Sequence, residues 1–156
     1  MRKIWIVALL ALFAACGDDD GNNGCPEPPN FNGTEEEEIQ AYLSENNLNA
    51  TRTNSGLYYV LENPGTGNQP TSSSNVRVAY RGYFTNGNVF DESASDGISF
   101  GLNQVIPGWT EGIPLFREGG NGILLLPSSL GYGSRGTTCI PGGSVLVFDV
   151  ELIQVN

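Results

Sequence analysis

Residues 76–93 read Val-Arg-Val-Ala-Tyr-Arg-Gly-Tyr-Phe-Thr-Asn-Gly-Asn-Val-Phe-Asp-Glu-Ser, and this stretch decides the fold. Val76, Val78 and Tyr80 alternate with polar or small residues, which is typical of a strand with one buried face. Asn86-Gly87 is the strongest short hairpin signal in the chain, and a second β-rich run follows it over residues 88–91. The stretch therefore predicts a β-hairpin, and the sequence on either side extends the same sheet.

Further strands are predicted before and after this hairpin. Residues 57–61 form a β-rich run that is closed by the turn signal Pro-Gly-Thr-Gly at 64–67. Later runs over 122–126 and 144–155 have the same character. The strands follow one another with few helical interruptions, which favours a mostly antiparallel sheet.

One short helix is predicted within this region. Pro107 suits a first helical position, Trp109 and Ile113 lie four residues apart on one face, and Pro114 enforces an early stop. The fold class is therefore α+β, with a sheet wrapped around a single short helix. Residues 55–156 are numerous enough for one core and are read as one domain.

A second helix is predicted before the domain, over about residues 35–46. Thr34 supplies the cap, and the glutamates at 35–38 lie where the positive end of the helix dipole favours them. Ile39, Tyr42 and Leu43 then recur at helical spacing. Residues 35–54 are accordingly a helical extension, and its glutamates are interpreted as a solvated helix start and not as a metal site.

The N-terminus has the pattern of a secretory signal over residues 1–15. Arg2 and Lys3 precede an apolar run at 4–15, which is too short to span a bilayer. Phe13-Ala14-Ala15-Cys16 resembles the lipobox of bacterial lipoproteins, in which the cysteine is lipidated and becomes the mature N-terminus; lipoboxes prefer Leu where this chain has Phe13. We therefore expect an exported bacterial lipoprotein with Cys16 lipidated. Its expected place is the outer membrane or cell envelope, on the periplasmic or surface face.

Residues 16–34 are predicted to be a flexible, lipidated tether. Asp, Asn, Gly and Pro dominate the segment, so it has little apolar surface to offset its ordering entropy. Its Asp18-Asp19-Asp20 triplet resembles the acidic export tag of some surface lipoproteins. An equally good interpretation of the triplet is that it has no export role and only keeps a disordered stalk solvated.

Composition excludes several classes of function. The chain has 7 basic and 17 acidic side chains, and its net charge of −10 repels nucleic acid, so no nucleic-acid partner is expected. It has no histidine, which rules out a Ser-His-Asp triad and a His-based metal site. No metal and no cofactor are expected.

Two cysteines are left once Cys16 is assigned to lipid. Cys25 and Cys139 form a disulfide that pins the tether to the domain, or else remain one buried and one flexible thiol. Their spacing does not decide between these alternatives.

Five motifs, in order and at matching spacing, resemble those of FKBP-type peptidyl-prolyl isomerases. They are Val-Ala-Tyr-Arg-Gly at 78–82, Gly-Asn-Val-Phe-Asp-Glu-Ser at 87–93, Gln-Val-Ile-Pro-Gly-Trp-Thr-Glu-Gly at 104–112, Leu-Gly-Tyr-Gly at 130–133, and Ile-Pro at 140–141 with Leu-Val-Phe-Asp-Val-Glu-Leu at 146–152. The resemblance covers the chain from about residue 56 to its end. It implies an FKBP-like antiparallel sheet around one short helix.

The resemblance also implies a pocket for a proline ring. Trp109 would form its floor, and the N–H of Ile106 and the hydroxyl of Tyr132 would bind substrate carbonyls. The implied catalytic residues are Tyr80, Phe90, Asp91, Tyr132 and Phe148, and the implied substrate-binding residues are Val105, Ile106, Trp109, Ile140 and Phe100. Without the resemblance, aromatic residues on alternating strand positions would be read as ordinary core.

The implied reaction suits a chain without histidine. Rotation about an X–Pro bond crosses a barrier of roughly 18–20 kcal/mol and breaks no bond, so it needs no nucleophile, metal or proton relay. Proline-containing polypeptides would be the substrates. The protein would be a monomer attached to the membrane by its lipid anchor. The rival interpretations are a non-catalytic module that holds a partner's proline loop and an inert scaffold.

The chain departs from the family pattern at several positions. The residues at 94–97 are Ala-Ser-Asp-Gly where an Arg is common, so Asp91 has no such Arg to pair with. Asp91 could orient Tyr80 and the reacting carbonyl, or it could be a structural carboxylate. Cys139 replaces an apolar residue, Ile98 stands where an aromatic is frequent, and glycines occupy 142–143. These changes predict weaker or differently selective activity.

Overall fold

The computed structural model describes residues 24–156. The predicted signal at 1–15 and the predicted lipidation site Cys16 lie outside the described residues. The described chain has two α-helices, α1 (Glu35–Glu45) and α2 (Pro107–Gly112), and three short 3-10 turns. Its seven strands are β1 (Thr51–Arg52), β2 (Tyr58–Asn63), β3 (Asn75–Tyr83), β4 (Val89–Glu92), β5 (Ile98–Gly101), β6 (Gly120–Leu126) and β7 (Leu146–Val155).

All seven strands form one antiparallel sheet. The strand order is β1-β2-β6-β7-β3-β4, and β5 pairs with the first half of β3. The long strand β3 therefore lies beside β7 along its whole length and carries β5 and β4 in succession on its other edge. The α+β architecture expected from the sequence is confirmed.

The hairpin predicted around Asn86-Gly87 is the β3–β4 connection. The N–H of Phe84 donates to the carbonyl of Asn88 at 3.0 Å, and the N–H of Gly87 donates back to the carbonyl of Phe84 at 2.8 Å. Gly87 has a φ of 86°, whereas Asn86 stays in the ordinary region. The turn is therefore a three-residue loop that needs one left-handed glycine, and not the two-residue turn typical of Asn-Gly.

Each face of the sheet is covered by a different helix. On the inner face, α2 places Trp109, and the 3-10 turn that follows it places Ile113, in a core that includes Val78, Leu124 and Phe148. On the outer face, α1 buries an apolar stripe on the other side of the same strands. That second cluster consists of Ile39, Tyr42, Leu43, Tyr58, Ile123, Leu125, Val145 and Val147.

The predicted start of α1 is confirmed in detail. The N–H of Glu37 donates to the Thr34 hydroxyl at 3.2 Å, and the N–H of Thr34 donates to the Glu37 carboxylate at 2.8 Å. This reciprocal pair is a capping box. The helix ends at Glu45, one residue before the predicted end, and Asn47 then takes a φ of 53°.

Two strands were not predicted from the sequence. β1 has only two residues, both exposed, and β5 has four, of which only Gly101 is fully buried. Neither is long enough to show the alternation that marks a strand in sequence. Both gain their backbone hydrogen bonds by pairing with longer strands, β2 and β3.

Residues 24–34 have no helix or strand, but they lie against the domain. Cys25 and Cys139 form a disulfide with their Cα atoms 5.1 Å apart. The side-chain amides of Asn86 and Asn88 donate to the carbonyl of Glu27 at 3.1 and 2.8 Å. The flexible tether predicted over 16–34 is therefore fixed to the domain in this described part. No helix within residues 24–156 has the length and apolar character that crossing a bilayer requires.

Candidate active site

A cavity of about 500 Å³ opens between the inner face of the sheet and α2. The strands β3, β4, β5 and β7, together with the segment that leads into α2, contribute its walls, and α2 contributes its base. The residues that line it are Tyr80, Phe90, Asp91, Ile98, Phe100, Gln104, Val105, Ile106, Trp109, Tyr132 and Phe148.

The floor of the cavity is Trp109, the third residue of α2. Its side chain is 5% exposed, and its ring lies 4.9 Å from Tyr80 and 5.3 Å from Phe148, centroid to centroid. Both neighbours stand nearly perpendicular to the indole, the edge-to-face arrangement that aromatic rings prefer. A Cβ on Gly108 would lie 2.2 Å from the Leu126 side chain, so glycine is needed for α2 to rest on β6.

The indole N–H of Trp109 is buried and has no hydrogen-bond acceptor among residues 24–156. A buried donor without an acceptor costs stability. Such exceptions are expected at functional sites more than in an ordinary core.

The aromatic walls come from three strands that meet over Gly82. The rings of Phe90 on β4 and Phe148 on β7 are 5.6 Å apart at 82°. A Cβ on Gly82 would lie 2.6 Å from the Phe90 ring and 2.7 Å from the Phe148 ring. Glycine at this position lets both rings reach the strand, a requirement that the sequence analysis did not identify.

Asp91 and Tyr80 form the polar side of the cavity. The Tyr80 hydroxyl donates to the Asp91 carboxylate at 2.6 Å. Burial, together with this carboxylate, raises the pKa of Tyr80 far above its ordinary value, so the phenol stays protonated. Asp91 is exposed, and the single ion pair found within residues 24–156 joins Arg52 to Glu36, away from it.

Two hydrogen-bond donors at the cavity have no protein acceptor within residues 24–156. They are the hydroxyl of Tyr132, whose side chain is 40% exposed, and the backbone N–H of Ile106. Burial, and then the charge of Asp91, raises the pKa of Tyr132 and keeps its hydroxyl a donor. The carbonyl of Ile106 accepts from Trp109 and Thr110, which fixes this segment to α2.

The structure brings together nine of the residues predicted for the site. Tyr80, Phe90, Asp91, Tyr132, Phe148, Val105, Ile106, Trp109 and Phe100 all line the cavity. Ile140 does not line it. Reciprocal backbone bonds with Thr137, at 2.8 and 3.2 Å, turn this residue inward, and its side chain is 5% exposed in the core.

Sequence reasoning missed two residues of the cavity wall. Gln104 lies in the motif at 104–112 but was given no role, and Ile98 was noted only as a departure from the family. Ile98 begins β5 and is 45% exposed. Within residues 24–156 no group of three or more potential metal-ligating side chains is found.

The same arrangement characterises a known family. FKBP_C, the FKBP-type peptidyl-prolyl cis-trans isomerase family, matches residues 66–153, which is more than half of the chain. The chain therefore belongs to the FKBP-type peptidyl-prolyl cis-trans isomerase family, as the sequence motifs predicted.

Curated relatives share this domain within longer proteins. The FKBP-type peptidyl-prolyl cis-trans isomerase FkpA of Aeromonas hydrophila is 48% identical over 106 residues, which are 67% of this chain and 40% of that protein. The probable FkpA of Neisseria meningitidis is 42% identical over 125 residues, 77% of this chain and 46% of that protein. The chain thus spans less than half the length of these relatives.

Solved structures agree on the fold. The crystal structure of FkpA from Escherichia coli superposes with a TM-score of 0.72 at 36% identity, covering 79% of this chain and 59% of that one. A peptidyl-prolyl cis-trans isomerase from Pseudomonas syringae has a TM-score of 0.67 at 29% identity, covering 81% and 98% of the two chains.

Proposed function

We propose that this chain is a peptidyl-prolyl cis-trans isomerase that accelerates rotation about X–Pro bonds in exported polypeptides. The observation that carries the proposal is the cavity itself. Its floor and walls are aromatic, its volume of about 500 Å³ accommodates a proline ring, and at its edge stand two donors that have no acceptor within residues 24–156.

An apolar cavity can lower the barrier to rotation without any covalent step. The planar tertiary amide of an X–Pro bond is strongly dipolar because the nitrogen lone pair is delocalised into the carbonyl. In the twisted transition state that delocalisation is lost, so the group is less polar. A dry, ring-lined site disfavours the planar form more than the twisted one, and this difference in binding accelerates the reaction.

The polar groups then hold the substrate while one bond turns. The hydroxyl of Tyr132 and the N–H of Ile106 are suited to bind the carbonyls that flank the proline. Asp91 accepts a hydrogen bond from the Tyr80 hydroxyl at 2.6 Å and thereby fixes the orientation of the Tyr80 ring in the cavity wall. Fixing the flanking peptide confines motion to the prolyl bond.

Turnover can be tested with the full chain in detergent and a protease-coupled proline-peptide assay. The variant Trp109→Leu replaces the floor by a smaller apolar side chain, and Phe31→Leu makes a similar change at an exposed ring outside the cavity. We expect the unaltered chain and Phe31→Leu to isomerise the peptide, with kcat/KM at least about ten-fold lower in Trp109→Leu. Peptide binding without turnover in the unaltered chain would instead select the non-catalytic binding module.

We further propose that the protein is exported and held at a bacterial membrane by lipid on Cys16. The lipobox-like residues 13–16 support this, and the Cys25–Cys139 disulfide suits an oxidising compartment outside the cytoplasm. Proline-containing proteins that fold in the cell envelope would be the clients, since slow prolyl isomerisation limits the folding of such chains. A monomeric chain remains our prediction.

The anchor can be tested by cell fractionation. We expect the unaltered protein and a Cys25→Ser control in the membrane fraction and Cys16→Ser in the soluble fraction, because the lipid on Cys16 supplies the membrane affinity. Equal membrane association of Cys16→Ser would contradict the anchor.

A further inference from the structure

The segment at 127–145, which we call the rim loop, connects β6 to β7 and carries Tyr132 at the edge of the cavity. We infer that Glu35 of α1 is a positioning residue for Tyr132, acting through Ser128 of the rim loop. The inference rests on the proposed isomerase function and deepens it, because it assigns a role to a helix on the other face of the sheet.

The first step is a two-pronged contact between α1 and the rim loop. The N–H of Ser128 donates to one carboxylate oxygen of Glu35 at 2.6 Å, and the Ser128 hydroxyl donates to the other at 2.6 Å. Ser128 is 8% exposed and Glu35 is half-buried. Hydrogen bonds to a charged acceptor that are shielded from water are among the strongest in proteins.

The second step links Ser128 to both neighbours of Tyr132. The carbonyl of Ser128 accepts from the N–H of Gly131 at 2.9 Å and from the N–H of Gly133 at 2.8 Å. Gly133 has a φ of 65°, which a residue with a side chain rarely adopts. The backbone on either side of Tyr132 is therefore tied to a single serine, and that serine is tied to Glu35.

The third step is the freedom that Tyr132 would otherwise have. Its hydroxyl has no acceptor within residues 24–156, and its side chain is 40% exposed, so its own contacts do little to fix it. Binding of a substrate carbonyl requires the hydroxyl within hydrogen-bond distance. Displacements of about 1 Å are enough to weaken such positioning strongly.

The other glutamates in the first turn of α1 have different contacts. Glu37 closes the capping box, Glu36 accepts from Tyr58, and Glu38 accepts from Thr85 at 2.5 Å. Glu35 is the member of the group that contacts the rim loop. The disulfide at Cys139 holds the second half of the same loop, so the loop is held on both sides of Tyr132.

The test compares steady-state constants of the full chain in detergent with those of Glu35→Gln and Ser128→Ala. Glu45→Gln is the matched control, since Glu45 is an exposed glutamate at the other end of α1. We expect Glu35→Gln to raise KM about five-fold with kcat within about two-fold, because the Tyr132 contact binds ground and transition states alike. Glu45→Gln should leave both constants unchanged.

A second background distinguishes positioning from a general loss of structure. In Tyr132→Phe the hydroxyl is absent, so adding Glu35→Gln should raise KM no further. The inference is overturned if Glu35→Gln leaves KM unchanged, or if its effect is as large in Tyr132→Phe; either result leaves the isomerase proposal intact. If Glu35→Gln does not fold, Ser128→Ala, which keeps the backbone bond, decides by the same criterion. Absence of turnover in the unaltered chain overturns the proposed function first, and the inference with it.

Discussion

Asp91 is the carboxylate that lines the cavity. The sequence left two interpretations of it open, a residue that orients Tyr80 and the reacting carbonyl or a structural carboxylate. Its carboxylate accepts a hydrogen bond from the hydroxyl of Tyr80, and the Tyr80 ring packs against Trp109 at a centroid distance of 4.9 Å. Asp91 is exposed, so it contributes little to folding by burial. The hydrogen bond from Tyr80 fits the orienting role and also fits a structural carboxylate, and the turnover of an Asp91 variant distinguishes the two.

If Asp91 orients Tyr80, replacing it should affect turnover more than stability. We expect Asp91→Leu to lower kcat/KM about ten-fold, because Tyr80 loses its acceptor and the wall of the cavity loses its fixed orientation. Thermal unfolding should shift little. Glu92→Leu is the matched control, since Glu92 is also exposed and is the next residue of β4 but lies outside the cavity lining. Unchanged turnover in a folded Asp91→Leu would rule out the orienting role.

A second residue-scale prediction concerns Tyr83, which lies between the sheet and α1. Its hydroxyl donates to Asp149 at 2.9 Å and lies 3.2 Å from that of Tyr42. Burial, and then these neighbours, raises the pKa of Tyr83 well above its ordinary value of 10.0. The folded state thus favours the protonated phenol, and the stability that this supplies is complete below pH 10 and is lost as the pH rises above it.

Urea unfolding between pH 8 and 11 measures this contribution. The free energy of unfolding should be level up to about pH 9.5 and fall above pH 10. In Tyr83→Phe, which cannot ionise, the decline should be shallower. An equal decline in both proteins would show that Tyr83 does not supply the alkaline dependence.

At the scale of single elements, local signals in the sequence were sufficient where each element is stabilised by its own residues. The Thr34 cap of α1, Pro107 at the start of α2 and the β3–β4 hairpin were all predicted because each depends on neighbouring residues. β5 was missed because it exists by pairing with β3, whose paired residues lie 20 to 26 positions earlier and are not indicated by any local pattern.

The segment before α1 shows the same limit. Its composition predicts disorder, yet residues 24–34 are held by contacts with loops that are distant in the chain. The cysteine pair left two alternatives open, because the spacing in the sequence does not show that the Cα atoms of Cys25 and Cys139 lie 5.1 Å apart. The fold had to be known before the bond could be assigned.

Loss of this disulfide should destabilise the protein. The bond joins residues separated by 114 positions, so it restricts the unfolded chain strongly. We expect Cys25→Ser to lower the free energy of unfolding by about 2–4 kcal/mol, measured by urea denaturation without reductant. Adding reductant to the unaltered protein should reproduce the effect, and adding it to Cys25→Ser should change nothing further. Identical unfolding of all four samples would contradict this role.

At the scale of the whole molecule, one sheet separates two helices with different tasks. α2 supplies the floor of the cavity on the inner face, and α1 covers a separate apolar cluster on the outer face. The sequence identified both helices but not the face that α1 covers, because a narrow apolar stripe fits either side of a sheet. The inferred link from Glu35 to Tyr132 depends on this placement and on the hydrogen bonds that Ser128 makes with Glu35 and with the two neighbours of Tyr132.

The candidate site was largely predictable because the family motifs retain their order and spacing. Ile140 was assigned to substrate binding by its motif, but a local backbone bridge directs it into the core. Gln104 and Ile98 line the cavity because of how β5 and the segment before α2 pack, which no motif records. A residue's position in a motif indicated that it lies near the cavity, and the packing of the fold decided which side chains line it.

The central claim is that the aromatic cavity turns an X–Pro bond, and exchange NMR of a short X–Pro peptide tests it without a protease. We predict that the full chain in detergent, at catalytic concentration, produces exchange cross-peaks between the cis and trans proline signals and leaves their equilibrium ratio unchanged. Trp109→Leu at the same concentration should produce far weaker exchange. Peptide signals that shift or broaden on binding, with cis and trans populations that still do not interconvert faster than in the free peptide, would contradict the account.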